Sequence, residues 1–85
     1  MPPVELTVRY FAAAHAAAGS ESVQVSVQDG TTVDDLIDRL GAGNPDLARV
    51  LVRCSFLRDG IAVRDRSQPL GRGVTIDVLP PFAGG

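Results

Sequence analysis

The sequence has 85 residues, of which 45% are hydrophobic, and a net charge of −2, so it predicts one small globular domain and excludes a disordered chain. All eight basic residues are arginine and no basic patch stands out, which argues against nucleic acid as a partner. No apolar run approaches the roughly 20 residues of a membrane span, and residues 1–8 lack a secretory signal pattern. A cytoplasmic protein without membrane contact is therefore expected.

The first third of the chain predicts two strands and a short helix. Residues 4–10 alternate between apolar and polar side chains, as a half-buried strand does. The alanine-rich segment 11–18 favours a short helix or a helical loop that ends at Gly19. Apolar residues alternate again over 23–27, which predicts a second strand, and Asp29-Gly30 provides the turn after it. We expect these two strands to pair as a hairpin with a long connection.

The clearest helix lies in residues 31–43. Thr32 is placed to cap its first turn, and Asp35 follows three residues later as in a capping box. Gly41 and Gly43 are predicted to end the helix. One apolar stripe at helical spacing would face the core, namely Val33, Leu36, Ile37 and Leu40.

The remaining elements are predicted from local signals. Asn44-Pro45 combines a capping residue with proline at the first helical position, which predicts a second short helix through Leu51. Residues 55–63 indicate a hairpin that turns at Asp59-Gly60. In the last strand, residues 74–79, we expect Asp77 to face water. One main helix on a small mixed sheet is an α+β, two-layer design.

The usual catalytic groups are missing from this sequence. It contains no phosphate-binding loop with a lysine and no cluster of metal ligands, so no metal site is expected. His15 is interpreted as a surface histidine. Cys54, the single cysteine, is interpreted as a small core residue, and it excludes an internal disulfide.

The segment 79–85, LPPFAGG, has a different character from the domain before it. We assign residues 1–79 to the folded domain and 80–85 to a flexible tail. Alternation places Leu79 on the polar side of the sheet, and Pro80-Pro81 would end the sheet and project the last four residues away from it. Phe82 would then suit a partner's pocket, while Ala83 and Gly84 form a thread thin enough for a narrow channel.

The reactive group in this interpretation is the α-carboxylate of Gly85. Adenylation would turn it into an acyl donor, and attack by sulfur would give a thiocarboxylate. The pattern alone gives equal weight to a frayed polar terminus, since the ends of most domains are disordered.

Several motifs are similar to those of the ubiquitin-like sulfur carriers, and within them to the small subunits of molybdopterin synthase. They are residues 9–12 (RYFA), Thr32-Val33, Pro45, Leu70 with Gly73, and residues 78–85 (VLPPFAGG). The resemblance spans essentially the whole chain. It implies a ubiquitin-like β-grasp fold.

The resemblance also implies a function in molybdenum cofactor biosynthesis. An ATP-dependent adenylating enzyme, related to ubiquitin activators, would activate Gly85, and a sulfurtransferase would supply sulfur. The tail would enter the large subunit of molybdopterin synthase, in a heterotetramer, and donate sulfur to cyclic pyranopterin monophosphate. The chain itself would bind no cofactor and would not be an enzyme. Leu79, Pro80, Pro81, Phe82, Ala83 and Gly84 would contact the partner, and Phe11 would extend that surface.

Three other functions stay open on the sequence alone. The carrier could serve thiamine, cysteine or tRNA thiolation. The chain could be a ubiquitin-like protein modifier, or an inert interaction domain. The Pro-Pro pair at the start of the tail favours the pterin pathway.

Overall fold

The computed structural model describes residues 3–81, and within them every predicted element is present. The domain combines five strands with three helices, which confirms the predicted α+β class. In chain order the elements are β1 (Val4–Tyr10), α1 (Ala13–Ala18), β2 (Ser22–Val27), α2 (Val33–Gly41), α3 (Pro45–Leu51), β3 (Ser55–Arg58), β4 (Ile61–Ala62) and β5 (Thr75–Leu79).

The strands form one mixed sheet in the order β2-β1-β5-β3-β4. β1 and β2 are antiparallel, with Val4 opposite Val27, which confirms the predicted hairpin with a long connection. The last strand, β5, lies between β1 and β3, parallel to β1 and antiparallel to β3. Because β5 is the middle strand, the chain leaves the sheet at its centre after Leu79.

The helices α2 and α3 begin at their predicted capping residues, and α1 and α2 end at the predicted glycines. The Thr32 hydroxyl accepts a hydrogen bond from the Asp35 N–H, and the Asp35 carboxylate accepts one from the Thr32 N–H, forming the predicted capping box. The helix α2 ends at Gly41, as predicted. A Cβ added there would lie 3.0 Å from the Ala48 Cβ, so the glycine permits close approach of α2 and α3.

Asn44 connects the helices as well as capping α3. Its side-chain oxygen accepts a hydrogen bond from the Leu47 N–H at 3.1 Å, and its amide donates to the Ala17 carbonyl at 3.0 Å. The same side chain thus begins α3 and ties it to the end of α1.

The core lies between the helices and one face of the sheet. Its fully buried side chains come from both layers, including Leu6, Val8, Leu36, Leu51, Leu70, Ile76 and Val78. Val23 and Val25 of the edge strand β2 are only half-buried. No helix within residues 3–81 is long and apolar enough to cross a membrane.

Candidate functional site: the end of the central strand

The chain leaves the sheet from its centre, at the end of β5. Because β1 and β5 are parallel neighbours, their C-terminal ends lie side by side at the same end of the sheet. The Phe11 N–H donates to the Val78 carbonyl at 3.2 Å, which holds the residue after β1 against the end of β5. Leu79, the first residue of the segment 79–85, therefore follows directly on the residue that is hydrogen-bonded to Phe11.

Ala12 turns the chain sharply from β1 into α1. Its φ of 51° and ψ of −124° lie in a region that favours glycine. The turn is so tight that α1 starts at Ala13, while Phe11 stays at the surface with 37% of its area exposed. The predicted contribution of Phe11 to an exposed apolar surface is consistent with this position.

Arg9 and Asp77 form an ion pair in the middle of the sheet's outer face. They are opposite each other on β1 and β5, and Arg9 donates from Nε and Nη2 to the two carboxylate oxygens at 2.6 and 2.9 Å. Asp77 is only 6% exposed, so the prediction that it faces water was wrong. The hydrogen bonds and charge of Asp77 raise the pKa of the Arg9 guanidinium.

Three apolar side chains surround this ion pair, and we call the whole set the sheet-end surface. Leu57 is opposite Asp77 on β3, Leu79 follows Asp77 by two positions on β5, and both are half-buried. The Arg9 guanidinium lies 5.6 Å from the centre of the Phe11 ring, on which it stacks. The sheet-end surface thus consists of apolar side chains around an ion pair whose two charges neutralise each other.

The two prolines differ in their surroundings. Pro81 is exposed, whereas Pro80, the first residue assigned to the tail, is buried. Both line an open groove of about 710 Å³ between α1 and α3, which also includes Val52, 80% exposed. The chain therefore leaves the domain between the sheet-end surface and this groove.

The residues predicted to enter a partner and to react are Phe82, Ala83, Gly84 and Gly85. They lie outside the described residues, and their functions stay predictions.

His15 and Cys54 do not form a site. His15 is exposed on α1, as predicted. Cys54 is buried, as predicted, and its thiol donates to the Val50 carbonyl at 3.3 Å. Burial raises the pKa of this thiol, although the charge of Arg66 opposes the effect, so Cys54 is a poor nucleophile. Residues 3–81 also contain no cluster of side chains able to hold a metal.

Sequence reasoning missed Arg9 as part of the site. The signal was present: Arg9 and Asp77 carry opposite charges at polar positions of two strands. Only the knowledge that β1 and β5 are neighbours, in that register, would have paired them.

One family of known proteins matches nearly the whole chain. The model of the ThiS family matches residues 8–85. The chain therefore belongs to the ThiS family of ubiquitin-like sulfur carriers, and the β-grasp fold is confirmed. No curated protein sequence matches it significantly.

Several solved structures share the fold over nearly the whole chain. The Haloferax volcanii HVO 2177 protein is 31% identical, with a TM-score of 0.86 over 99% of this chain and 89% of its own. SAMP1 from the same organism is 29% identical, with a TM-score of 0.82 over 95% and 99%. A chain in the complex of subunits 1 and 2 of the Helicobacter pylori molybdopterin-converting factor is 22% identical, with a TM-score of 0.70 over 96% and 100%, and shows the fold alone.

Proposed function

We propose that this chain is the sulfur-carrying small subunit of a molybdopterin synthase. Gly85 would be adenylated, converted to a thiocarboxylate and delivered to the large subunit, where its sulfur is transferred to cyclic pyranopterin monophosphate. The observation that supports this most strongly is the match of the family model through residue 85, on a domain whose central strand leads directly into that segment.

The chemistry assigns a separate task to each part of the C-terminal segment. In adenylation the carboxylate of Gly85 would attack the α-phosphate of ATP and expel pyrophosphate, so that the Gly85 carbonyl is joined to AMP, a good leaving group. Attack by a sulfide equivalent then expels AMP and leaves a carbon–sulfur bond at Gly85. Ala83 and Gly84 carry no bulky side chain, so this carbonyl can approach a partner's active site closely. Phe82 and the exposed Pro81 would contact the walls of the entrance.

The sheet-end surface would complete the contact with the large subunit. It lies where the chain leaves the sheet, and the H. pylori neighbour is a complex of subunits 1 and 2 of its converting factor. The adenylating enzyme and the sulfurtransferase would be further partners, and ATP would be bound by the adenylating enzyme. An assembly of two small and two large subunits is the expected stoichiometry.

The tail is tested by deleting Gly85. After incubation with the activating enzyme, ATP and a sulfur source, the intact mass of the full chain should show exchange of one oxygen for sulfur, and the truncated chain should show none. Molybdopterin formation with the large subunit should fall to background. Thermal unfolding should be the same for both chains. Molybdopterin synthesis by the truncated chain at the normal rate would refute the proposal.

The docking surface is tested by Phe11→Ala, with Ile61→Ala as the matched control. Both side chains are large, apolar and exposed, but Ile61 lies on the edge strand β4, at the far side of the sheet. We expect Phe11→Ala to weaken binding to the large subunit by roughly tenfold or more, as loss of an aromatic anchor does. Equal affinities of the two variants would exclude Phe11 from the interface.

A second candidate function is protein modification, favoured by the similarity to SAMP1, a small archaeal modifier protein. It predicts isopeptide-linked adducts between Gly85 and lysines of target proteins. Stable binding to a thiazole synthase, with none to the large pterin subunit, would instead favour the thiamine pathway. Intact-mass analysis of the chain from the native host separates the modifier from a sulfur carrier, because a modifier appears as isopeptide-linked adducts and a carrier as the chain with one oxygen exchanged for sulfur.

A further inference from the structure

The edge strand β2 has an open hydrogen-bonding side. In antiparallel pairs, residues that bond across to the partner strand alternate with residues whose N–H and C=O point away. The Tyr10 N–H donates to the Glu21 carbonyl at 2.8 Å, which fixes this alternation for β1 and β2. The backbone groups of Ser22, Gln24 and Ser26 therefore point outward, and no other strand within residues 3–81 pairs with them.

This edge lacks the features that usually prevent strand pairing. Natural proteins protect exposed edges with charged residues, proline, bulges or very short strands. β2 has six residues, SVQVSV, none of them charged and none proline, and its register with β1 is unbroken. Its backbone is thus free to pair with another extended strand.

Residues 22–26, SVQVS, read the same in both directions around Gln24. If two copies of β2 pair antiparallel about a two-fold axis at Gln24, then Gln24 faces its own symmetry mate and Ser22 faces Ser26 of the second copy. Each of these is a hydrogen-bonded pair, because all three residues point their backbone groups outward. No other register of two copies places every outward-pointing residue of this strand opposite one of its own type.

The apolar side chains fit the same arrangement. Val23 and Val25 lie on the core face of β2 and are only half-buried within the domain. About the same axis, Val23 of one copy would lie opposite Val25 of the other, and pairing would remove their exposed area from water. The net charge of −2 per chain adds little repulsion.

We propose that the chain forms a two-fold symmetric dimer through β2, which joins the two five-stranded sheets into one continuous sheet. This goes beyond the proposed function, since transfer of sulfur needs no such contact. Because the two β2 strands are antiparallel, the two β5 strands also run in opposite directions. The two β5 strands would therefore end at opposite ends of the dimer, and neither end lies at the β2 contact.

Association is measured by sedimentation of the full-length chain over a concentration series. A two-stranded contact buries little area, so we expect a dissociation constant in the micromolar to millimolar range and a clear dimer at about 1 mM. A monomer at every concentration would overturn the proposal.

Charge substitutions test whether the two-fold axis passes through Gln24. Gln24→Lys places two like charges opposite each other and should weaken association by about tenfold or more. The double variant Ser22→Glu/Ser26→Lys places opposite charges across the axis. Within the chain, its new carboxylate lies opposite Arg9 and its new ammonium opposite Glu5. This variant should associate at least as tightly as the unmodified chain. If Gln24→Lys dimerises normally, the interface lies elsewhere.

Disulfide trapping tests the register. Gln24→Cys should form a cross-linked dimer rapidly on mild oxidation, because the two Cα atoms would lie about 5.5 Å apart. Gln28→Cys is the control, since this exposed residue just beyond β2 would lie far from its symmetry mate. The buried Cys54 is present in both. Equal trapping at the two positions would refute the register.

The dimer and the carrier function are tested separately by one further measurement. Thiocarboxylate formation by Gln24→Lys should stay normal, because this residue lies on the edge strand β2, which β1 separates from β5. A variant that no longer dimerises but still accepts sulfur would support both proposals. If Gln24→Lys lost both the dimer and sulfur loading, then sulfur loading would depend on the dimer, which contradicts the proposal that sulfur transfer needs no β2 contact.

Discussion

Arg9 and Asp77 are an unequal pair, because the carboxylate side chain is 8% exposed and the guanidinium side chain 52%. If Asp77 is removed, Arg9 can be solvated by water. If Arg9 is removed, a charge stays buried without a partner, which is the more costly case. The ion pair therefore contributes to stability mainly because Arg9 compensates the buried charge of Asp77.

Substituting either partner of the ion pair should destabilise the domain, but by different amounts. Asp77→Ala should lower the free energy of unfolding by about 1–3 kcal/mol, as loss of hydrogen bonds to a charged group does. Arg9→Met should cost more, and the double variant Arg9→Met/Asp77→Leu should recover much of the loss. Urea unfolding of the three variants measures these differences. If Arg9→Met cost no more than Asp77→Ala, the buried carboxylate would not be the dominant group.

The second prediction concerns Ala12, whose positive φ strains the backbone beside the site. Ala12→Gly should raise the free energy of unfolding by about 1 kcal/mol, because relief of strain exceeds the extra entropy of glycine in the unfolded chain. Ala16→Gly, an exposed position inside α1, is the control and should lower stability by about 1 kcal/mol. Thermal unfolding compares them. Equal losses in the two variants would argue against strain at Ala12.

At the scale of elements, the contact between α2 and α3 depends on one missing side chain. At Gly41 an added Cβ would meet the Ala48 Cβ at 3.0 Å and its Cα at 3.2 Å. At Gly43, two residues further on, nothing lies within 4 Å of such a Cβ. The two glycines look alike in the sequence but differ in what surrounds them.

The third prediction uses this matched pair. Gly41→Ala should destabilise the domain by about 1–3 kcal/mol, because α3 must move away from α2. Gly43→Ala should be neutral or stabilise by up to about 1 kcal/mol, through the lower entropy of the unfolded chain. Chemical denaturation with a common baseline compares the two. A stabilising Gly41→Ala would show that the helices separate without cost.

At the scale of the whole molecule, stability should fall in alkaline solution. Burial raises the pKa of Cys54 above its ordinary 9.0 and that of Tyr10 above its ordinary 10.0. At a pH above the ordinary pKa and below the raised one, each group has lost its proton in the unfolded chain but keeps it in the folded chain. The unfolded state then binds fewer protons, so the free energy of unfolding decreases as pH rises.

The fourth prediction concerns the measured curve of stability against pH. The denaturation midpoint should be constant near neutral pH and decline from about pH 9 upward, first through Cys54 and then through Tyr10. Cys54→Ala should delay the start of the decline to about pH 10, where Tyr10 begins to titrate in the unfolded chain. A midpoint that stays constant to about pH 11 would contradict the effect of burial on both groups.

Local patterns in the sequence were sufficient to predict the secondary-structure elements. Alternation of apolar residues, the caps at Thr32 and Asn44, and the turn at Asp59-Gly60 are local signals, and the structure confirms each of them. These signals arise from a residue's own backbone preferences and from neighbours a few positions away, which the sequence displays directly. The motif at residues 78–85 also indicated the family that the comparisons show.

Which elements are neighbours, and therefore which single side chains are buried, became known from the three-dimensional structure. Alternation shows which face of β5 meets the core, but not that β1 and β3 flank it, so the burial of Asp77 beneath Arg9 was not predictable. The burial of Pro80 and the close packing at Gly41 likewise depend on residues distant in sequence. Lateral order and packing result from the sum of many weak long-range contacts, and no local pattern encodes them.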